Sequence, residues 1–156
     1  MLIEQEFTAA AERHLNLVYH VALNCLRFPA DAEDAAQETM LRLWRTDTAF
    51  ETDQHLRYWL IRVCVNVCRD MARTPWRSRT VPLEHCTELA FSNGEQQSLW
   101  EELIALPSRY RLPLYLHYYQ GYSAAEIGGM LGLSASAVRS RLLRARAKLK
   151  LQLKEE

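Results

Sequence analysis

The chain has 156 residues, of which 49% are hydrophobic and 24% charged, and its formal net charge at pH 7 is zero. This many apolar residues can bury one medium core or two small ones, which excludes an intrinsically disordered chain. The charges are segregated: residues 1–73 hold 8 basic and 11 acidic residues, whereas residues 106–156 hold 9 basic and 3 acidic ones. Different partners are therefore expected at the two ends.

The sequence carries no signal of a membrane segment or a cofactor. No apolar run approaches the roughly 20 residues of a membrane-spanning helix, and the first residues, MLIEQEF, lack the basic and apolar parts of a signal peptide. We therefore expect a cytoplasmic protein without membrane insertion, and no further domain after Lys150. Cys25, Cys64, Cys68 and Cys86 lack the spacing of zinc ribbons and redox motifs, so reduced thiols and no metal or cofactor are expected.

Two helices are predicted in the first 45 residues. Residues 3–27 have the apolar spacing of one helix or a helix pair, which Phe28-Pro29-Ala30 interrupts before Asp31, the predicted cap of the next helix. The candidate core residues of the first segment are Phe7, Leu15, Val18, Tyr19, Ala22 and Leu26. Those of residues 31–45 are Ala35, Ala36, Thr39, Met40, Leu43 and Trp44.

The opposite face of residues 31–45 carries an acidic and amide stripe with one apolar member. Asp34, Gln37, Glu38 and Leu41 repeat there at helical spacing, followed by Arg45. An exposed leucine among such groups is typical of a docking surface. A solvated helix face has the same pattern, and the residues alone leave both interpretations open.

A polar loop over residues 46–54 leads into a helix predicted from His55 to Arg73. Its predicted core face consists of Leu56, Leu60, Val63, Val67 and Met71, and a second apolar flank of Ile61, Cys64, Val65 and Cys68 predicts buried structural thiols. The remaining face interleaves aromatic, basic and amide groups: Tyr58, Trp59, Arg62, Asn66, Arg69 and Arg73. Such a face suits melted DNA, because bases stack on aromatic rings, arginines follow the backbone and an amide reads an extruded base. Alternatively, the two aromatic residues complete the core and the arginines are solvated.

The second half of the chain is predicted to begin with a linker over residues 74–94, where proline, serine, asparagine and glycine interrupt every period. Helices are expected over residues 95–106 and 108–120, with Pro107 in the first turn of the latter and Pro113 kinking it. Side chains available to pack against residues 121–150 are Tyr110, Leu114, Leu116, His117 and Tyr118.

Residues 121–150 contain the features of a helix-turn-helix. Ser123 and Glu126 have the spacing of a capping box, which starts a short helix. Gly132-Leu133-Ser134 then supplies a C-terminal glycine, a buried turn residue and a second N-cap, so that another helix begins at Ala135.

This last helix divides into two faces at about 100° per residue. The buried side is predicted to hold Val138, Leu142, Ala145 and Leu149, and the opposite side Ser136, Arg139, Ser140, Leu143, Arg144 and Ala147. Small residues allow close approach, arginines reach guanine edges or phosphates, and a leucine suits a thymine methyl group, so the exposed side is typical of a major-groove reading face. No acidic residue lies between Glu126 and Glu155, which favours DNA as the partner over an ordinary amphipathic helix with a solvated basic face.

Three ordered blocks of the chain resemble the sigma-70 factors, specifically the extracytoplasmic-function type that retains regions 2 and 4. DAEDAAQETMLRLWR (31–45) is similar to region 2.2, HLRYWLIRVCVNVCRDMAR (55–73) to regions 2.3–2.4, and residues 106–149 to region 4.2. The resemblance implies an all-α chain of two small helical domains joined by a flexible linker. Region 2 is expected over residues 1–73, the linker over 74–94 and region 4 over 95–156.

The resemblance also implies partners and roles. Matching positions place Asp34, Gln37, Glu38 and the neighbouring Leu41 on the β′ clamp helices of core RNA polymerase. The helix after residue 55, with Tyr58, Trp59, Arg62, Asn66 and Arg69, is expected to recognise and melt the minus-10 element, with Asn66 in the pocket of a flipped base. Region 4 is expected to bind the β flap and, through Ser136, Arg139, Ser140, Leu143 and Arg144, the minus-35 element. An anti-sigma factor is expected to mask the polymerase-binding surfaces.

The predicted function is that of a promoter-specificity subunit and not an enzyme, since the sequence has no Gly-rich phosphate loop and no H-E-x-x-H motif. One alternative is a stand-alone helix-turn-helix regulator that never engages polymerase and binds a palindromic site. Another is an adaptor that binds core polymerase or an anti-sigma protein without reading DNA.

Overall fold

The computed structural model describes residues 3–73, 101 and 103–154, with side chains described as far as Lys150. Every regular element in these residues is helical, which confirms the all-α fold class. The chain divides into two compact units, one of residues 1–79 and one of residues 80–156. The predicted linker, most of the predicted helix over residues 95–106, and Cys86 lie outside the described residues.

The first unit consists of helices α1 (Glu4–Leu26), α2 (Pro29–Arg45) and α3 (Asp53–Ala72). Residues 3–27 thus form one helix and not a pair. The prediction that Asp31 caps α2 is wrong, because Phe28 is the N-cap and Pro29 occupies the first helical position, where its missing N–H costs nothing. Asp31 lies buried in the first turn.

Helix α3 begins two residues earlier than predicted. Thr52 is its N-cap and accepts a hydrogen bond from the backbone N–H of His55 at 3.0 Å. Asp53, in the first turn, accepts a hydrogen bond at one carboxylate oxygen from Arg13 Nε (3.0 Å), and the same oxygen lies 2.8 Å from Nε2 of the buried His14. The hydrogen bond with His14, with smaller contributions from Arg13, lowers the pKa of Asp53 below its ordinary value. These contacts tie the start of α3, and with it the preceding loop, to α1.

The core of the first unit lies where the three helices meet. Its fully buried apolar side chains include Val18, Val21, Leu23, Leu43, Leu60, Ile61 and Val65. The α3 core face is rotated from the predicted one, because Val63 and Met71 are half-buried while Ile61, Val65 and the two cysteines are buried. Leu15, a predicted core residue of α1, is 47% exposed. An apolar arc this wide on α3 allows more than one rotation, and the packing against α1 and α2 selects one.

The predicted burial of Cys64 and Cys68 is confirmed, and both thiols are free, as is that of Cys25. The Cys68 thiol contacts the thiols of Cys25 and Cys64. These contacts, together with burial, raise the pKa of Cys68 well above its ordinary value. A thiol held protonated in this way packs as a small apolar group.

The second unit contains α4 (Ser108–Tyr118), α5 (Ala124–Leu131) and α6 (Ala135–Lys154). Its core includes Leu103, Leu116, Ile127, Met130 and Val138, all at most 2% exposed. Arg111, which the sequence did not single out, is buried and donates from Nη1 to the carbonyl oxygen of Leu106 at 2.6 Å. Its guanidinium thereby fastens the chain before α4 to α4 itself.

The helix-turn-helix is confirmed in its local chemistry. Ser123 Oγ accepts from the Glu126 N–H at 3.1 Å, and Glu126 Oε1 accepts from the Ser123 N–H at 3.0 Å, which completes the capping box. Gly132 ends α5 with φ of 73°, in the left-handed region that favours glycine. Ser134 Oγ accepts from the N–H of Ala137 at 3.1 Å and so caps α6, whereas Leu133, predicted to be buried in the turn, is only half-buried.

The turn also requires a glycine at position 128, inside α5. The Leu133 N–H donates to the Gly128 carbonyl oxygen at 2.9 Å, which brings the turn backbone onto the helix. A Cβ at this position would collide with the carbonyl oxygen of Leu133. Since that atom belongs to the backbone, no side-chain rotation relieves the clash.

We expect Gly128→Ala to destabilise the second unit by about 2 kcal/mol, the range of an overpacked core position. Thermal unfolding followed by circular dichroism measures the effect. The matched control is Gly129→Ala, at an exposed position of the same helix, where the change is expected to be neutral or slightly stabilising. Equal melting temperatures for the two variants would contradict the close approach of the turn to α5.

Candidate nucleic-acid and polymerase interfaces

The predicted reading face lies exposed along α6. Ser136, Arg139, Ser140, Leu143 and Arg144 are all exposed, while Val138, Leu142 and Ala145 on the other side are buried. Leu143 is 67% exposed, a large apolar side chain between small and basic ones. Both the predicted division of α6 into two faces and the exposure of the candidate residues are therefore seen in the structure.

The electrostatics of α6 are one-sided. It carries Arg139, Arg141, Arg144, Arg146, Lys148 and Lys150. The sole carboxylate within residues 103–150 is that of Glu126, which is committed to the capping box. A row of cations on one helix, with a single carboxylate among residues 103–150, attracts a polyanion.

A cationic cluster connects α6 to the start of α4, and the sequence did not predict it. The ring of Tyr110 is 7% exposed, with the Arg109 guanidinium 4.8 Å and the Lys148 Nζ 5.5 Å from its centroid. Hydrogen bonds from Arg109 and, secondarily, from Arg144 lower the pKa of the Tyr110 hydroxyl. Lys148 follows Arg144 by one helical turn, a spacing visible in the sequence, but nothing in the sequence places Arg109 beside them.

The predicted mixed face of α3 is divided between exposed and packed residues. Arg62, Asn66 and Arg69 are exposed, whereas Tyr58 and Trp59 are half-buried. The Trp59 ring meets Phe50, from the preceding loop, edge-on with centroids 5.4 Å apart. Trp59 therefore anchors the loop as well as lining the face, a contact that sequence reasoning missed because Phe50 stands alone in a polar segment.

A cavity of about 600 Å³ lies beside this loop. It is lined by α1, by residues 47–52 and by the start of α3, including Arg13, Phe50 and Asp53. Asn66 is not among its lining residues. Thirteen residues of helix separate Asn66 from Asp53, about 20 Å along α3. The structure therefore does not bring Asn66 to the loop cavity.

The predicted stripe on α2 is presented to solvent. Asp34, Gln37 and Leu41 are exposed and Glu38 is half-buried, with Leu41 44% exposed. These four residues form a surface that we call the α2 stripe. The Glu38 carboxylate accepts from Arg42 Nε at 3.3 Å, one turn along the helix. On the inner side Ala35, Ala36, Thr39, Met40 and Leu43 are buried as predicted.

The second unit also has an apolar groove of about 410 Å³. It is lined by Leu103, Leu114, Tyr118, Tyr119, Arg146 and Leu149. Tyr118, predicted to be available for packing against residues 121–150, contacts Arg146 of α6. Its hydroxyl accepts a hydrogen bond from Arg146 Nη1 at 2.8 Å, while 53% of the residue stays exposed at this groove. In the described parts of the chain, no His, Cys, Asp and Glu side chains are grouped as metal ligands, and no helix is long and apolar enough to cross a bilayer.

Comparison with known families matches both units separately. The family model for Sigma-70 region 2 matches residues 10–78, and the model for Sigma-70, region 4 matches residues 96–149. The ECF RNA polymerase sigma factor SigM of Mycobacterium tuberculosis is 33% identical over 146 residues, covering 92% of this chain and 74% of SigM. SigL of the same species is 29% identical over 157 residues, covering 94% of this chain and 88% of SigL.

Two solved structures share the fold. The sigma factor RpoE of Bartonella quintana, in complex with the anti-sigma factor NepR, has a TM-score of 0.75 at 21% identity, covering 96% of this chain and 98% of RpoE. CnrH, in complex with the cytosolic domain of CnrY, has a TM-score of 0.69 at 28% identity, covering 99% of this chain and 91% of CnrH.

Proposed function

The chain belongs to the sigma-70 family and to its extracytoplasmic-function type, and we propose that it acts in the cytoplasm as a dissociable specificity subunit of RNA polymerase. In this role it binds core polymerase and directs it to promoters, while the polymerase performs the chemistry of RNA synthesis. The observation that carries the proposal is the exposed reading face of α6 on a helix-turn-helix within the region 4 match.

The second unit is proposed to bind the minus-35 element as intact duplex. Ser136, Arg139, Ser140 and Leu143 face outward from the helix after the turn, the position of a recognition helix in the major groove. Arg139 has the reach and the donors for a bidentate contact with a guanine, a contact that contributes roughly 1–3 kcal/mol of discrimination. Leu143 supplies an apolar contact for a thymine methyl group.

The first unit is proposed to recognise the minus-10 element once it is single-stranded. Tyr58 and Trp59 offer half-exposed rings, Arg62 and Arg69 offer charge, and Asn66 offers an amide on the same helix. Capturing a base outside the stack offsets an unstacking cost of a few kcal/mol. Promoter melting then results from trapping the open state and needs no energy source.

Two surfaces are proposed to hold the polymerase. The α2 stripe, with its acidic and amide groups around Leu41, is assigned to the β′ clamp helices. The apolar groove of the second unit is assigned to the β flap, because its lining is almost entirely hydrophobic and polymerase docking would remove it from water. An anti-sigma factor that masks either surface would hold the protein inactive, a proposal supported by the structural neighbour RpoE, which was solved with the anti-sigma factor NepR.

The minus-35 assignment predicts the effect of one substitution. Arg139→Ala is expected to reduce the preference for the cognate upstream element over a scrambled one about 10-fold, the loss of one bidentate contact. Competition transcription with holoenzyme on the two templates measures this ratio, and binding to core polymerase should stay unchanged. Equal losses on both templates would show that Arg139 contacts only the backbone.

A stand-alone regulator is less consistent with these findings, because the region 2 match and the α2 stripe would then have no role. Such a protein would bind a palindromic site tightly without polymerase. An adaptor that does not read DNA is opposed by the intact reading face on α6.

A further inference from the structure

The residues around Tyr110 bring three exposed cationic side chains together on one buried residue. Arg109 and Lys148 both lie over one buried ring, and Arg144 shares its hydroxyl with Arg109. Three positively charged side chains from two helices therefore surround the side chain of Tyr110. Within residues 103–150 the sole carboxylate, that of Glu126, already bonds the backbone of Ser123.

The position of Arg109 adds to the imbalance. Helix α4 has no side-chain cap and no acidic residue in its first turn, and Arg109 lies in that turn. The first turn of a helix carries a partial positive charge and prefers anions. An anion bound beside Arg109 would be attracted by its charge, by the two neighbouring cations and by the partial positive charge of the helix N-terminus.

The cluster lies at the border of the reading face. Arg144 is the last predicted base-reading residue on α6, and Lys148 continues the same flank one turn further. Arg109 and Arg144 both interact with the hydroxyl of Tyr110. This interaction draws the Arg144 side chain toward α4. A guanidinium drawn toward Arg109 and Lys148 lies at the edge of the reading face, where one backbone phosphate could contact all three cations.

We propose that Arg109, Arg144 and Lys148, gathered on Tyr110, form a seat for one backbone phosphodiester of duplex DNA. Tyr110 is a positioning residue: its buried ring supports Arg109 and Lys148, and its hydroxyl orients Arg144. The seat rests on the proposed function, since it fixes the register in which α6 enters the major groove. It reassigns Arg144 from reading sequence to anchoring the backbone.

The test is the salt dependence of duplex binding by the full chain. The probes are two duplexes, one carrying an upstream element selected by transcription and one with that element scrambled, titrated between about 50 and 200 mM NaCl. Arg109→Gln and Lys148→Gln are each expected to reduce the slope of log K against log salt by about 0.9, and to weaken both duplexes equally. The charge-preserving controls Arg109→Lys and Lys148→Arg should keep the wild-type slope.

Arg144→Gln and Tyr110→Phe distinguish the seat from base reading. Arg144→Gln is expected to lower the slope and to leave the ratio between the two duplexes unchanged. Tyr110→Phe keeps the ring, so it should melt like wild type and weaken both duplexes by the same factor of a few. A loss of discrimination in Arg144→Gln with an unchanged slope would overturn the proposal, as would no measurable duplex binding by wild type at the lowest salt. The proposed function would be contradicted by a different result, the absence of binding to core RNA polymerase. The duplex titrations contain no polymerase, so the two failures are distinguishable.

Discussion

Replacing Glu38 by arginine is expected to weaken binding to core RNA polymerase about 100-fold, or about 2.8 kcal/mol. Glu38 lies at the centre of the α2 stripe and accepts a hydrogen bond from Arg42. The substitution removes an acidic group from the surface proposed to meet the β′ clamp helices, and it sets a second cation beside Arg42. Like charges across an interface cost several kcal/mol. Titration of core polymerase with fluorescently labelled protein measures the dissociation constant.

The control for this variant is Glu12→Arg, which reverses one exposed charge on α1 of the same unit. It changes the net charge equally, so it separates a local contact from long-range attraction. Equal weakening by both variants would place the effect in the overall charge of the first unit. Binding unaffected by Glu38→Arg would remove the α2 stripe from the interface.

Replacing Asn66 by alanine is expected to slow open-complex formation on duplex promoters about 10-fold or more. The amide is exposed on α3, between Arg62 and Arg69, and is proposed to hydrogen-bond the edge of a flipped base. Without it, less of the unstacking cost is recovered when the promoter opens. Stopped-flow fluorescence of a labelled promoter measures the rate, and a template with a pre-melted minus-10 region should restore most of it.

Asn16→Ala, the same substitution at an exposed position of α1, is the control and should leave the rate unchanged. The loop cavity is an alternative site for capture of the flipped base, and the same experiment distinguishes it from Asn66. Phe50 lines that cavity and packs on Trp59, whereas Asn66 lies about 20 Å along α3 from Asp53 at the cavity. A normal rate in Asn66→Ala together with a slow rate in Phe50→Ala would assign base capture to the loop cavity.

Local capping chemistry explains why the helix-turn-helix was predictable from sequence. Ser123, Glu126, Gly132 and Ser134 each act on backbone groups within a few residues, so their spacing determines their partners. The two faces of α6 were equally predictable from the sequence, because its charged and apolar residues fall on opposite sides of the helix. The α2 stripe was predictable from the sequence for the same reason.

The wrong predictions concern features that depend on tertiary contacts or on competition between two possible helix starts. Asp31 is a good cap residue, but Pro29 already begins the helix, so that the N-cap is Phe28, three positions earlier than predicted. The rotation of α3 depends on α1 and α2, and a one-dimensional pattern with two apolar flanks does not select it. Contacts between distant residues, such as Tyr110 with Lys148 or His14 with Asp53, leave no periodic trace in the sequence.

The measurement that tests the central claim most directly is transcription from a genomic promoter library by core RNA polymerase, with and without the purified protein. Discrete start sites that appear only with the protein, and share paired upstream and downstream elements, are the result expected of a sigma factor. If core neither binds the protein nor gains start sites, while the protein alone retards a palindromic duplex, the chain is a stand-alone regulator and the role in polymerase is wrong.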